Sequence, residues 1–344
     1  MRLAIVGAGM AGLSAARRLM ELRPDSSIVI FEKSRGVGGR AATRERYGAR
    51  FDHGAQYIKA PTPALESLLR SADESPVDIG RPVWVFDRAG AIMPGDPEQN
   101  VAPKWTYRAG ITTLAKALAR GLDIRYESRI RHIDRANGSY LLFDETDAIV
   151  AAADAVLLTP PAPQTRAIVA ASALPPGPQT ALLRELDRVT YRPCLTLTLG
   201  YPPALQERPF YALVNTDRQH PIAWLAYEHL KPGRPTGDQH VLIAQMAPDW
   251  SNEHWHDALE ELVTHVTALI TDLLRESLPA ARWGDRQGWR YALPDSGADF
   301  ERLNRALPGL FFAGDYTAGQ GRVHLAIEQG WRVAERIAAL IRAG

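Results

Sequence analysis

The first 32 residues constrain this chain more than any other stretch. An apolar run, Arg2-Leu3-Ala4-Ile5-Val6, leads straight into Gly7-Ala8-Gly9-Met10-Ala11-Gly12. The run has the character of a fully buried strand. Leu13 to Leu22 then reads as a helix, with Leu13, Ala16, Leu19 and Met20 at helical spacing. After Pro24-Asp25-Ser26 a second apolar strand, Ile28-Val29-Ile30-Phe31, ends on Glu32.

Strand, glycine turn, helix and strand in that order predict a dinucleotide-binding unit. Gly7 permits the tight turn, Gly9 lets the backbone approach a pyrophosphate, and Gly12 lets the helix pack close to the strand. The unpaired N–H groups at Met10 and Ala11 and the positive end of the helix face the phosphates. Glu32 lies twenty residues past Gly12, where a carboxylate accepts hydrogen bonds from ribose hydroxyls. The alternative is an ordinary βαβ unit that binds nothing. Agreement of both strands, the helix and the acid speaks against it.

The length of 344 residues suggests one large or two interleaved domains. Lys and Arg number 40 against 39 Asp and Glu, which gives no support for a nucleic-acid or anionic-membrane partner. No apolar run reaches the length of a membrane span. Met1 leads directly into the first strand rather than into a signal peptide, so the expected location is the cytoplasm. The single cysteine, Cys194, rules out an intramolecular disulfide framework and a cysteine-rich metal site, and reads as a small core residue.

After Glu32 comes Lys33-Ser34-Arg35-Gly36-Val37-Gly38-Gly39-Arg40. This loop approaches something closely, and Arg40 is the best candidate for a pyrophosphate contact. Glu32 followed by Gly38-Gly39-Arg40 resembles the double-glycine motif of FAD-dependent amine oxidases and their relatives. Phe51-Asp52-His53-Gly54-Ala55-Gln56-Tyr57 is similar to the D-x-G-A-Q-Y stretch of the renalase family, including its bacterial relatives. That resemblance places Gln56 and Tyr57 beside the flavin ring and the substrate pocket. It puts Lys33 and Gly39 with the cofactor, and the backbone of Ile130 against the adenine.

The middle of the chain carries fewer signals. Val83 to Phe86 and Ala91 to Met93 read as a β-hairpin, and Asn137-Gly138 as a tight hairpin turn. Trp105 and Tyr107, just before a helix from Ile111 to Arg120, are candidate pocket walls or plain core. Ala155 to Leu158 is a further buried strand. The proline-studded stretch Pro160 to Pro178 reads as the exit into a second domain built on an antiparallel sheet, with Cys194 to Leu199, Ile222 to Tyr227 and Val241 to Met246 as strands. Glu253 to Glu276 is predicted as one long helix. His254, His256 and His265 fall on or near it, but His254 and His256 do not share a helical face, and no metal site is expected. The Trp289-Arg290-Tyr291 segment also resembles renalase-like proteins, where a similar tryptophan lines the substrate pocket.

Leu310 to Ala313 is a buried strand that ends in Gly314-Asp315, before a helix from Val323 to Ile341. In the flavoprotein superfamily that this resembles, Asp315 holds a ribityl hydroxyl. The helix N-terminus at Arg322, Val323 and His324 faces the flavin C2 carbonyl. The expected fold is α/β, a Rossmann-type FAD-binding domain (1–58, 104–160, 289–344) with an interleaved α+β substrate domain (59–103, 161–288). The resemblance implies non-covalent FAD, as monomer or homodimer. The implied substrates are 2- and 6-dihydro isomers of NAD(P), oxidised to NAD(P)+ with O2 reduced to hydrogen peroxide. Flavin N5 does the chemistry, so no catalytic side chain is assigned. Gln245 stands where some relatives carry a pocket histidine, and is assigned to the pocket. An amine oxidase or desaturase of the same fold, a non-catalytic flavin sensor and an NAD-binding dehydrogenase are the alternatives.

Overall fold

The computed structural model describes residues 1–340. The end of the predicted last helix, Ile341, and the final residues of the expected cofactor domain lie outside the described residues.

The chain begins β1 (Arg2–Val6), α1 (Met10–Leu22), β2 (Ser27–Phe31), β3 (Thr43–Arg46), β4 (Ala49–Asp52), α2 (Pro63–Arg70), β5 (Val77–Asp78), β6 (Val83–Phe86), β7 (Ile92–Met93), α3 (Pro97–Val101), β8 (Trp105–Thr106) and α4 (Thr112–Ala119). It continues β9 (Asp123–Arg125), β10 (Ile130–Ala136), β11 (Ser139–Asp144), β12 (Ile149–Ala153), β13 (Ala155–Leu158), α5 (Ala162–Ala171), α6 (Pro176–Leu186), β14 (Tyr191–Tyr201), β15 (Ala212–Asn215), β16 (Ile222–Tyr227) and β17 (His240–Met246). Last come α7 (Pro248–Glu253), α8 (Leu259–Leu274), β18 (Trp283–Pro294), α9 (Phe300–Arg305), β19 (Leu310–Phe312), α10 (Asp315–Ala318) and α11 (Val323–Leu340).

These elements form two units. The first comprises Met1–Ala41, Leu114–Tyr191 and the chain from Leu293 onward; the second comprises Ala42–Thr113 and Arg192–Ala292. They differ from the expected domains at residues 42–58, 104–113, 161–191 and 289–292. Residues 42–58 go with the second unit, where Arg44 and Arg46 pair with the buried Asp285. Helices α5 and α6 go with the first, because Ile168, Val169, Leu182 and Leu186 find their apolar partners there, among Val156, Leu158 and Ile133.

The first unit is built on a five-stranded sheet in the order β19-β13-β1-β2-β9. All its pairings are parallel, which explains the continuous apolar runs of β1 and β13. Val6 pairs with both Phe31 and Leu158, and Leu158 with Phe312, so the carboxyl ends of four strands share one edge. An antiparallel three-stranded ribbon, β10-β11-β12, adds Ile133 and Leu142 to the core. Helix α11 crosses α1 closely: a Cβ at Gly330 would stand 2.4 Å from the Ala11 carbonyl oxygen.

The second unit holds a seven-stranded sheet in the order β18-β14-β17-β16-β15-β6-β7. It is mixed rather than purely antiparallel, because β15 and β6 run parallel. Leu195, Leu197, Leu199, Leu225 and Leu242 pack with Leu262, Val266 and Ile270 of α8. The other face carries Ala226, Val241 and Ile243, packed with Phe51 and Tyr57. On that face Thr196, Gln245 and Trp224 are register partners in one row.

The helix predicted from Glu253 to Glu276 is two helices. His254 Nδ1 lies 2.6 Å from the Asp257 carboxylate, and the Glu261 carboxylate accepts the Ala258 N–H at 3.3 Å. These local bonds stop one helix and start the next. Trp255, within the span predicted as helix, sits in the connection. No helix among the described residues is long and apolar enough to cross a membrane.

Candidate functional site

In the first unit, Gly7, Glu32, Thr159 and Ala313 each follow directly on one of the four aligned strand ends. Strand order reverses between β1 and β13, and open parallel sheets bind ligands at such a switch point. Gly7 has φ +103°, a value that L side chains rarely adopt. A Cβ at Gly12 would come 2.1 Å from the Gly7 carbonyl oxygen, so only glycine lets α1 start here. By contrast, a Cβ at Gly9 or at Gly36 would meet nothing within 4 Å. The space next to the turn is therefore open where a pyrophosphate needs it. Helix α1 starts at Met10 with no side-chain cap on Gly9 and no acid in its first turn. Its first N–H groups, including those of Met10 and Ala11, are thus available to an anion.

Glu32 is buried and does more than the sequence suggests. Its Oε2 accepts the Ala8 N–H and its Oε1 the Ser34 N–H, both at 2.8 Å. The carboxylate fixes the glycine turn and keeps further lone pairs able to accept hydroxyl donors. The glycine-rich loop lies against the same turn, with Gly38 N–H donating to Ala8 O at 2.9 Å and Gly39 next to Gly9. Lys33 is exposed and donates to Gln164 at 3.3 Å. Ile130 is buried at the start of β10, in the core with Val6 and Phe31.

Arg40 and Asp315, named separately from the sequence, meet. Arg40 donates to both carboxylate oxygens of Asp315, at 2.7 and 2.9 Å. The Tyr191 hydroxyl donates to Asp315 at 3.2 Å. Burial disfavours the charged guanidinium, but the Asp315 carboxylate outweighs it and holds the Arg40 pKa above its ordinary value. Burial beside Asp315 pushes the Tyr191 phenol far up, so it stays a donor. Gly314 and Asp315 lead into α10, and α11 starts at Val323 and His324, just after Arg322, with no acid in its first turn. Sequence reasoning missed Thr159, whose hydroxyl donates to Val6 O at 2.8 Å at the switch point. It also missed Tyr191. No local pattern marks either one.

In the second unit the residues gather at Gly54. Gln245 donates to Gly54 O at 2.7 Å, and the Trp289 indole N–H donates to His53 O at 3.0 Å. The His53 ring stacks on Trp289 at 5.4 Å with an interplanar angle of 8°. Burial, with Arg44 next, lowers the His53 pKa to about 4, so the ring is neutral at pH 7. Tyr57 lies against Trp224, ring centroids 6.2 Å apart. Gln56 is tied at both ends, accepting from Tyr211 at 3.2 Å and donating to the carbonyls of Asp52 and Gly54. Its amide shapes the corner.

The two expected pocket walls take different places. Trp105 pairs with Ile58 and Asp78 through its backbone and packs against Arg70. Tyr107 is fully buried, its hydroxyl donating to Leu69 O at 2.8 Å, and belongs to the core.

Behind Gln56 lies a four-charge cluster that no sequence pattern announced. Asp52 accepts from Lys231 at 2.8 Å and from Arg234 at 2.8 Å, and Glu228 stands 2.8 Å from Lys231. All four side chains are sealed from solvent. Burial alone would raise the Asp52 pKa, but Lys231 and Arg234 hold it well below the carboxylate range. Glu228 goes the other way, raised by burial that these cations only partly offset. Among the described residues, no three His, Cys, Asp or Glu side chains are grouped to hold a metal.

Known proteins fit this geometry. The family model for flavin containing amine oxidoreductases matches residues 85–338, and one for an NAD(P)-binding Rossmann-like domain matches residues 5–72. The fold is similar to that of a protein described as a protoporphyrinogen oxidase from Exiguobacterium sp. 255-15, at TM-score 0.80 and 17% identity over 98% of both chains. It is similar to cyclohexylamine oxidase from Brevibacterium oxydans IH-35A, at TM-score 0.76 and 14% identity over 99% of both chains. Putrescine oxidase bound to putrescine matches at TM-score 0.74 and 16% identity, over 98% of this chain and 99% of that one. At these identities the likeness is one of fold.

Proposed function

Because this chain belongs to the family of flavin containing amine oxidoreductases, we propose that it is an FAD-dependent oxidase of misreduced nicotinamide dinucleotides. Its substrates are the 2- and 6-dihydro isomers of NAD(P), and its product is NAD(P)+. FAD is the cofactor, held without a covalent bond; the only cysteine, Cys194, lies on β14, and burial raises its thiol pKa to about 11. FAD held there would supply the hydride acceptor, and the hydride's two electrons and one proton, with a second proton from water, would leave on O2 as hydrogen peroxide.

The chain's residues bind and orient. The α1 N-terminus, Arg40 and Glu32 hold the pyrophosphate and ribose, and Asp315 takes a ribityl hydroxyl. The start of α11, at Arg322, Val323 and His324, provides the positive end of a helix for the ring's carbonyl edge. Tyr57 and Trp289 offer flat faces, and hydride transfer from an already labile donor needs alignment more than an acid–base pair.

One observation carries the choice of substrate. The corner at Gly54 offers aromatic faces and a fixed amide, Gln245. The nearby Asp52 and Glu228 are already matched by Lys231 and Arg234. Such a surface suits a neutral ring bearing a carboxamide. The test is anaerobic mixing of the FAD-loaded protein with each isomer, followed in the flavin absorbance band. Bleaching supports the reading, and a flavin that stays oxidised with every isomer sinks it. The Tyr57–Trp224 pair also favours a second reading, oxidation of a deprotonated amine, as amine oxidase or desaturase. Peroxide from primary amines or polyamines, with inertia toward the isomers, would select it.

A further inference from the structure

Side chains of β18 alternate between two environments. Arg286 donates to the carbonyls of Trp255 and Asp257, and Arg290 lies 4.0 Å over the Trp255 ring. These even positions serve the α7–α8 connection. The odd positions face the β3–β4 hairpin and the segment after it. Trp289 stacks on His53, Asp285 pairs with Arg44 and Arg46, and Trp283 stacks on Tyr47 at 4.7 Å and 23°. Aromatic, cationic and aromatic stations thus follow one another over roughly 20 Å of strand.

Resting on the substrate reading above, we propose that this face is a track for the phosphate and adenine half of the dinucleotide. Arg46 anchors the phosphate of the adenylate, which the mononucleotide lacks, and Tyr47 is the platform for the adenine.

Charge and exposure support this assignment. Two guanidinium groups share one carboxylate, which leaves a net positive charge. Asp285 is 3% exposed, so it neutralises inward, while the Arg46 side chain is 53% exposed. Arg46 binds Asp285 through one nitrogen at 2.9 Å, and arginine has five N–H donors. Tyr47 is 48% exposed although it rests on a tryptophan. Its φ is +54°, followed by Gly48 at +72°, a two-residue turn that asparagine and glycine fill most easily. A bulky ring kept in a left-handed position is a conformational expense that a packing role does not explain. Stacking under a purine explains it, since every base offers a flat face to an aromatic ring.

The experiment compares dihydro isomers of NAD, NADP and nicotinamide mononucleotide, which lacks the adenylate, on FAD-loaded enzyme. For Arg46→Gln, KM for the dinucleotides should rise about ten-fold, the effect of losing one charge-assisted hydrogen bond. Values for the mononucleotide and kcat should stay unchanged. Tyr47→Asn suits the turn backbone, so it keeps the fold, and it should raise the dinucleotide KM alone. Unchanged dinucleotide KM in both variants, or equal changes for mononucleotide and dinucleotide, overturns the track and leaves the oxidase reading standing. Failure of the unaltered enzyme to oxidise any isomer overturns both.

Discussion

Arg40 and Asp315 stand 275 residues apart in sequence and form a two-pronged ion pair, with N–O distances of 2.7 and 2.9 Å. The pair joins the glycine-rich loop after β2 to the residues that follow β19. Asp315 is 5% exposed and Arg40 31%. Breaking a fully buried pair costs about 3–5 kcal/mol, and partial exposure of Arg40 reduces that to about 2 kcal/mol. Arg40→Ala should therefore lower the unfolding free energy by about that amount in urea and yield protein depleted of FAD. Arg40→Lys should recover part of the stability, because one ammonium cannot match both oxygens. Full FAD occupancy in Arg40→Ala would remove the pair from the cofactor site.

The cluster of Asp52, Glu228, Lys231 and Arg234 makes the second unit sensitive to single substitutions. Asp52→Asn leaves Lys231 and Arg234 short of a counter-charge in a site closed to water. The expected loss is about 3–5 kcal/mol, read as a lower urea midpoint. Since Asp52 is depressed in the fold, its contribution is present above about pH 4 and is lost as pH falls further. A midpoint within error of the unaltered protein would mean that the cluster is neutral overall.

His229 and His240 stack at 4.2 Å, and each uses Nδ1 to accept a backbone N–H, from Val241 at 3.1 Å and Leu205 at 3.2 Å. Burial, then the neighbouring His240, lowers the His229 pKa to about 4. An unfolded imidazole takes its proton near pH 6.5. Between these values the unfolded chain binds more protons, so stability rises with pH. The contribution is complete above about pH 6.5 and declines toward pH 4. His229→Asn should flatten the thermal-stability profile in that window, and an unaltered slope would contradict the assignment.

Gln245→Ala removes the donor that fixes the Gly54 carbonyl at 2.7 Å. It should lower kcat/KM for the dihydronicotinamide by about ten-fold, the worth of about one hydrogen bond. FAD content should not change, because Gln245 is assigned to the substrate rather than to the cofactor. Loss of FAD in this variant would show that the corner supports the cofactor instead.

Local pattern carried the cofactor half. Gly7 to Glu32 is legible because its strand, turn and helix each follow a short-range rule, and their partners arrive within thirty residues. The Gly314-Asp315 strand end is legible for the same reason. Thr159, Tyr191, Lys231 and Arg234 were not, since each acts through a partner more than a hundred residues away. Trp105 and Tyr107 show the ambiguity of aromatics: composition offers a wall or a core, and only burial of the Tyr107 hydroxyl against Leu69 decides. The interruption after Glu253 was hidden because the apolar spacing runs on through it while His254 and Asp257 close it locally.

The parallel sheet places β19, drawn from residues 310–312, beside β13 and one strand removed from β1. A chain still emerging from the ribosome thus carries the glycine turn about three hundred residues before the opposite wall is made. Loading with FAD then waits for residues 310–315, and a chain cut short before Leu310 should be colourless however well its early segments fold.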